Sequence, residues 1–140
     1  MATTKRSNKI IAAVAFALIV CTLLCMNVFA KLYGPIYVYG DRYTVVASGT
    51  ADNTGSYLSV TVNNIYKADG SNSNYSTVKA DVLNSSGSQI SSNTNVALSL
   101  GTATNISLIQ SYNSGTSMRL RMKGNMSSLD CQVKFTAALS

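Results

Sequence analysis

Short runs in which apolar and polar residues alternate dominate the chain after residue 35. In Tyr57–Val62, for example, Leu58, Val60 and Val62 alternate with polar or aromatic neighbours. Because strand side chains point to opposite faces with a period of two, such a run predicts a strand with one buried and one hydrated face. The same alternation occurs in Thr77–Val82, Asn95–Leu100, Thr104–Leu108, Met118–Lys123 and Leu129–Phe135.

Clusters of small polar residues separate these runs and predict turns. They cover residues 51–55, 68–74, 84–88 and 112–116 and are rich in Gly, Asn, Asp and Ser. Gly and Asn tolerate positive φ, and Asp and Ser form hydrogen bonds with the local backbone. The segment Ile36–Ala51 is too long for one strand, and Gly40-Asp41 predicts a bulge or tight turn within it.

About seven or eight strands at this spacing predict an all-β fold. The architecture expected is a single antiparallel β-sandwich over residues 31–140, either immunoglobulin-like or jelly-roll. No helical period, internal repeat or domain boundary is visible in this part of the sequence. The sequence therefore predicts one domain with one core.

The first thirty residues follow a different pattern. Lys5, Arg6 and Lys9 precede the apolar run Ile10–Ala30, which ends in the small residue Ala30. This layout predicts a helical secretory signal peptide over residues 1–30, cleaved after Ala30. The run is also long enough to span a membrane, so an uncleaved signal anchor is the alternative. The predicted localisation is secreted or extracellular, or membrane-anchored through this segment.

Loss of the signal changes the charge and cysteine content. The whole chain carries a net charge of +6, but residues 31–140 hold eight Lys or Arg against five Asp, a net charge of +3. Such a charge mainly aids solubility, and no nucleic-acid partner is expected. Cys131 is the only cysteine after the signal, which rules out an intramolecular disulfide. A secreted domain without disulfides favours a bacterial origin.

The usual residues of acid–base catalysis are missing from the sequence. There is no His, and the five acidic residues are all Asp, with no recognisable paired spacing. We therefore expect no enzyme activity and no catalytic, cofactor-binding or metal-ligating residues. Asp69 with Ser71, Asn72 and Asn74 offers oxygen atoms to Ca²⁺, but we interpret this segment as a plain turn.

Tyrosine is concentrated in LYGPIYVYGDRY, residues 32–43, which holds four of the eight tyrosines. Tyr37, Tyr39 and Tyr43 share parity and are expected to line one face. We interpret them as half-buried strand residues, with a protein interface or a sugar platform as alternatives. The segment is predicted to be an edge strand, or else a flexible arm that pairs with the next subunit.

A second candidate surface lies near the C-terminus. Arg119, Arg121 and Lys123 alternate with apolar residues and are predicted to form the solvated face of a strand. Asp130 is expected to neutralise Arg121 or Lys123 in part across the hairpin. A site for an anionic polymer is the alternative interpretation.

Cys131 falls on the apolar side of the last predicted strand, together with Val133 and Phe135. The sequence contains no His that could activate a thiol. We therefore predict a buried cysteine with a raised thiol pKa rather than a nucleophile.

These observations predict a secreted or cell-surface, non-enzymatic binding or structural module. Two alternatives stay open: a self-assembling extracellular fibre or matrix subunit that uses the Tyr-rich N-terminal strand, and a carbohydrate- or cell-wall-binding module. The partners considered are another copy of the chain, a cell-wall glycan and another surface protein. The candidate interaction residues are Tyr37, Tyr39, Tyr43, Arg119, Arg121 and Lys123.

Overall fold

The computed structural model of the chain describes residues 30–139, so all of the predicted signal peptide except Ala30 lies outside it. The described residues form eight β-strands and no helix, which confirms the predicted all-β class and strand number. The strands are β1 (Lys31–Val38), β2 (Thr44–Thr50), β3 (Gly55–Lys67), β4 (Thr77–Asn84), β5 (Val96–Ser99), β6 (Ala103–Tyr112), β7 (Ser117–Gly124) and β8 (Cys131–Ala137). Within residues 30–139 there is thus no helix that could cross a membrane.

Each strand in the first half of the chain pairs with its counterpart in the second half, counted from the other end. β1 pairs with β8, β2 with β7, β3 with β6 and β4 with β5, all antiparallel. Two further antiparallel ladders, β3 with β8 and β4 with β7, join these pairs into two four-stranded sheets. The sheet orders are β1-β8-β3-β6 and β2-β7-β4-β5, and the two sheets form a β-sandwich around a shared core.

Apolar side chains from both sheets fill the space between them in the predicted register. Phe135, Leu120 and Met122 are fully buried, and the inward residues of β3 and β4 are at least nine-tenths buried. Burying a side chain of this size stabilises the fold by about 1.5–3 kcal/mol relative to leaving it exposed. The prediction is wrong at Leu100, which is 42% exposed, because β5 ends at Ser99 and the chain turns at Gly101.

The predicted break within residues 36–51 is confirmed, and it carries the chain from one sheet to the other. The β1–β2 connection packs against the β7–β8 connection, where the Gly124 N–H donates to the Tyr39 carbonyl at 2.8 Å. The predicted hairpin between these two strands is wrong, because β7 and β8 belong to different sheets. A Cβ atom at Gly40 would lie 2.6 Å from the Leu129 nitrogen, and one at Gly124 would collide with the Leu129 carbonyl. Both glycines are therefore needed for this close backbone approach.

The Tyr-rich segment begins as an edge strand that belongs to the chain's own sheet. β1 pairs with β8, with an irregularity between Tyr33 and Ile36 that contains the cis Gly34-Pro35 bond. Tyr33 packs inward, because its ring stacks on Phe135 with centroids 5.1 Å apart. Its hydroxyl donates to the Leu139 carbonyl at 2.9 Å. Of the two alternatives for this segment, the structure has the edge strand.

The four predicted turns all fall at connections between strands, although Gly55, Asn84 and Tyr112 are terminal residues of β3, β4 and β6. In the β3–β4 connection, the Asp69 Oδ1 atom accepts hydrogen bonds from the Ser71 Oγ and N–H groups at 2.7 and 2.9 Å. These bonds lower the pKa of the Asp69 carboxyl. The segment interpreted as a plain turn is thus closed by a local Asp–Ser interaction.

Candidate binding surface on the outer face of one sheet

The three candidate tyrosines do not line one face, which corrects the prediction from parity. The Tyr37 and Tyr39 rings meet edge to face, with centroids 5.1 Å apart, beside the sheet that contains β1. The Tyr39 ring is also covered by the Arg42 guanidinium at 3.8 Å. Tyr43 follows the crossing between the sheets and lies against β7 instead. Parity fails because the turn at residues 40–42 separates the two halves of the segment.

Four cations project from the outer side of the β2-β7-β4-β5 sheet, and we call this surface the basic face. Its residues are Lys79 on β4 and Arg119, Arg121 and Lys123 on β7. The β4–β7 register places Lys79 opposite Lys123 and Asp81 opposite Arg121. Since β4 and β7 are the two central strands of the sheet, the cations occupy the middle of this surface.

Arg121 is not a free surface cation, which corrects the prediction of a uniformly solvated stripe. Its Nε and Nη2 atoms donate to the two carboxylate oxygens of Asp81, the second at 2.9 Å. The Asp81 side chain is fully buried, whereas 28% of the Arg121 side chain is exposed. This bidentate contact raises the pKa of Arg121. Asp81 therefore needs Arg121 as its counter-charge.

The Tyr43 ring covers the end of the basic face that contains Arg121 and Lys123. Its ring centroid lies 4.4 Å from the Arg121 guanidinium and 4.8 Å from the Lys123 ammonium. The Tyr43 hydroxyl donates to the Asn95 Oδ1 atom at 3.0 Å and accepts from the Asn95 N–H at 3.1 Å. Burial, together with the nearby charge of Asp81, raises the pKa of Tyr43. One of the candidate tyrosines thus joins the candidate cations in a single cluster.

The other three cations of the basic face have no carboxylate partner in the described part of the chain. Among residues 30–139, the Asp81–Arg121 contact is the only side-chain ion pair within 4.0 Å. Lys79 and Lys123 lie directly opposite each other on neighbouring strands, and Arg119 is exposed further along β7. Like charges placed opposite each other in a sheet repel, so this arrangement favours a bound anion.

Asp130 does not neutralise either candidate cation, which corrects a further prediction. Its two carboxylate oxygens accept hydrogen bonds from the Gly40 N–H at 2.9 Å and the Tyr37 hydroxyl at 2.8 Å. The bonds lower the pKa of Asp130, with the Gly40 contact as the larger cause, and the Tyr37 contact raises the pKa of that phenol. Asp130 therefore holds the end of β1 in place and does not compensate the positive charges on β7.

Cys131 is buried, as predicted, with 1% of its surface exposed. Burial, aided by the charge of Asp130, raises the pKa of its thiol to about 11. A thiol in this state is mostly protonated near neutral pH and is a poor nucleophile. Cys131 is therefore part of the core.

The structure adds two residues that sequence reasoning did not place in the site. Lys79 and Asp81 belong to the cluster because β4 pairs with β7, a register that the alternating pattern does not specify. The only sequence signal was the parity of Lys79 and Asp81 within Thr77–Val82. No group of three or more metal-ligating side chains occurs in the described part of the chain.

Comparison of the chain with protein-family models, with curated proteins and with solved structures gives no match. The function is therefore inferred from the residues of the chain and from their arrangement.

Proposed function

We propose that the chain is a non-enzymatic, extracellular binding module that holds an anionic polymer on its basic face. The observation that carries this proposal is the Lys79–Lys123 couple on the two central strands of the sheet, which has no carboxylate partner within residues 30–139, together with the exposed Arg119 on the same face. The signal-like N-terminus supports an extracellular location. The absence of His and Glu from the sequence supports a binding role rather than catalysis.

The strand pairing supports a jelly-roll rather than an immunoglobulin-like sandwich. In an immunoglobulin-like domain, the first strand pairs with the second, and the sheets have the orders ABED and CFG. Here β1 pairs with β8, β2 with β7, β3 with β6 and β4 with β5, as expected when one long hairpin is wrapped into two sheets. We adopt the jelly-roll as the fold type.

The spacing of the cations suits a repeating anion. Arg119, Arg121 and Lys123 occupy alternate positions of β7, so their Cα atoms follow one another at intervals of about 6.7 Å. Arg121 is already neutralised by Asp81, which leaves Arg119 at one end and the Lys79–Lys123 couple at the other. A chain of carboxylate or phosphate groups can contact both ends at once, whereas a single small anion contacts only one.

The position of β1 favours a polymer over lipid headgroups. The Lys123 end of β7 lies beside the end of β1, since the Gly124 N–H bonds to the Tyr39 carbonyl at 2.8 Å. β1 leads from Lys31, the first residue after the N-terminal apolar segment, to this end of the sandwich. If that segment stays in a membrane, the lysine couple lies at the end of β1 that is far along the chain from the membrane.

A charge-matched pair of double variants tests the proposal. Binding of the full-length chain to polygalacturonate and to inorganic polyphosphate is measured by titration calorimetry at low salt. We expect the wild type to bind, and Lys79→Ala/Lys123→Ala to weaken binding about tenfold or more, because it removes the clustered charges. The control Lys67→Ala/Lys134→Ala removes the same charge elsewhere and keeps the affinity within about twofold.

Two outcomes would contradict the proposal. One is no binding of either polymer by the wild type. The other is an equal loss of affinity in both double variants, which would show that net charge rather than the basic face determines binding.

A further inference from the structure

A pocket of about 220 Å³ lies at the edge of the sandwich, beside the start of β3. Its floor is apolar and comes from both sheets, through Leu58, Leu108 and Met118. These three side chains are all at least nine-tenths buried, so the pocket reaches the core. The pocket does not include any residue of the basic face.

The rim of the pocket is polar but uncharged. It contains the side chains of Asn53, Ser59 and Asn105 and the ring of Tyr57, which is 57% exposed. None of these four side chains has a hydrogen-bond partner within residues 30–139. Asn side chains donate and accept at once, so the rim can pair with a neutral ligand that carries both hydroxyl and amide groups.

Gly55 lies in the wall of the pocket, and neither the backbone nor the packing requires glycine there. It is not among the described glycines with positive φ, and a Cβ atom at this position would meet no atom within 4 Å. At this first residue of β3, the fold therefore does not explain the glycine, and the open space beside it can admit a ligand.

We propose that this pocket binds one N-acetylhexosamine unit of an extracellular glycan. The exposed Tyr57 ring offers a flat surface to the sugar ring, while Asn53 and Asn105 meet its hydroxyl and amide groups. The acetamido methyl group reaches the apolar floor, which a plain hexose leaves empty. Since no charged side chain lines the pocket, the ligand is neutral, and the site is independent of the basic face.

The test compares two tetrasaccharides on the full-length chain by titration calorimetry and by NMR shifts. The β1,4-linked N-acetylglucosamine tetramer is expected to bind about tenfold tighter than the β1,4-linked glucose tetramer, the discrimination that a hydrophobic pocket gains from a buried methyl group. Gly55→Leu fills the pocket and is expected to abolish this binding. Ser99→Leu adds the same side chain at an exposed position of β5 and is expected to leave it unchanged.

Asn105→Ala provides a second variant at an exposed position, in case Gly55→Leu lowers the thermal stability. We expect this variant to weaken binding of the acetylated tetramer about tenfold, because it removes a donor and an acceptor from the rim. Binding of polygalacturonate should persist in Gly55→Leu and Asn105→Ala. Absence of binding by the wild type, equal affinity for the two tetramers, or full binding by Asn105→Ala would overturn the proposal.

Discussion

The outer faces of the two sheets have the same alternating pattern but different chemistry. On the β1-β8-β3-β6 sheet, the central outward positions are Ser59, Thr61, Gln132 and Thr136, with Lys134 as the cation of β8. On the β2-β7-β4-β5 sheet, four cations surround Asp81, which points outward and is nevertheless fully buried. A side chain that points outward from a sheet is therefore not necessarily exposed to solvent.

The cations on the outer face of the β2-β7-β4-β5 sheet also have two different roles. Arg121 is needed by the fold, because it compensates a buried carboxylate. Lys79, Arg119 and Lys123 have no such task in the described structure, so their charge is available to a ligand. Substitutions that distinguish these roles test the comparison directly.

The largest effect is expected from Arg121→Ala. Its removal leaves the Asp81 charge buried and unpaired, and we expect a loss of about 3 kcal/mol in the free energy of unfolding. Arg119→Ala, at an exposed position two residues away, should change stability by no more than about 0.5 kcal/mol. Urea denaturation of both variants measures the difference, and equal losses would contradict the assigned roles.

A double substitution sharpens the same point. Asp81→Leu/Arg121→Leu removes both charges, so no unpaired carboxylate remains in the sheet. We expect it to recover most of the stability lost in Arg121→Ala, since buried ion pairs contribute little net stability compared with apolar side chains. If the double variant were as unstable as the single one, the unpaired charge would not be the cause.

The next largest effect concerns the glycine that joins β7 to the β1–β2 connection. Gly124→Ala forces a Cβ atom against the Leu129 carbonyl, and we expect it to destabilise the fold by about 2 kcal/mol. Gly55→Ala, in the opposite sheet, meets open space and should stabilise slightly, by about 0.5 kcal/mol. Thermal unfolding of the two variants checks these opposite signs, and a stable Gly124→Ala would contradict the close approach.

A smaller effect is expected from acid. The pKa of Asp130 is lowered in the folded chain, so its bonds to Gly40 and Tyr37 stabilise the fold above the ordinary value of about 3.8. This contribution is lost as the pH falls through the lower, folded-state pKa. Asp130→Asn should remove this part of the pH dependence of unfolding. An unchanged acid profile in the variant would show that other carboxylates determine it.

The smallest change is expected at Cys131, which lies in the core beneath the less charged sheet. With a thiol pKa of about 11, the native protein should react only slowly with iodoacetamide at about pH 8. The same thiol should react readily in denaturant. Mass spectrometry of the labelled chain measures both, and fast labelling of the native protein would contradict the burial.

Much of the fold follows from local pattern. Alternation identifies the inward residues of β3, β4, β6, β7 and β8, and the small polar clusters identify the turns. The break at Gly40-Asp41 is predictable because glycine and aspartate interrupt a long apolar run. The pairing of β1 with β8 is not, since strands so distant in sequence meet only through the whole topology.

The site was predicted only in part for the same reason. Arg119, Arg121 and Lys123 share a face because they lie on one strand. Asp81 and Lys79 join them through a register that depends on strand pairing, and Tyr43 joins them because the chain changes sheets before it. The pattern of a single strand predicts only a stripe of three cations. The long-range register is needed to place a buried carboxylate among them.

The most direct test of the central claim is the salt dependence of polyphosphate binding by the wild type and the two double variants. We predict that log Kd rises linearly with log salt for the wild type, and that Lys79→Ala/Lys123→Ala reduces this slope by about two, one for each lost contact. Lys67→Ala/Lys134→Ala should keep the wild-type slope. Identical slopes for all three proteins would contradict the assignment of the basic face as the binding surface.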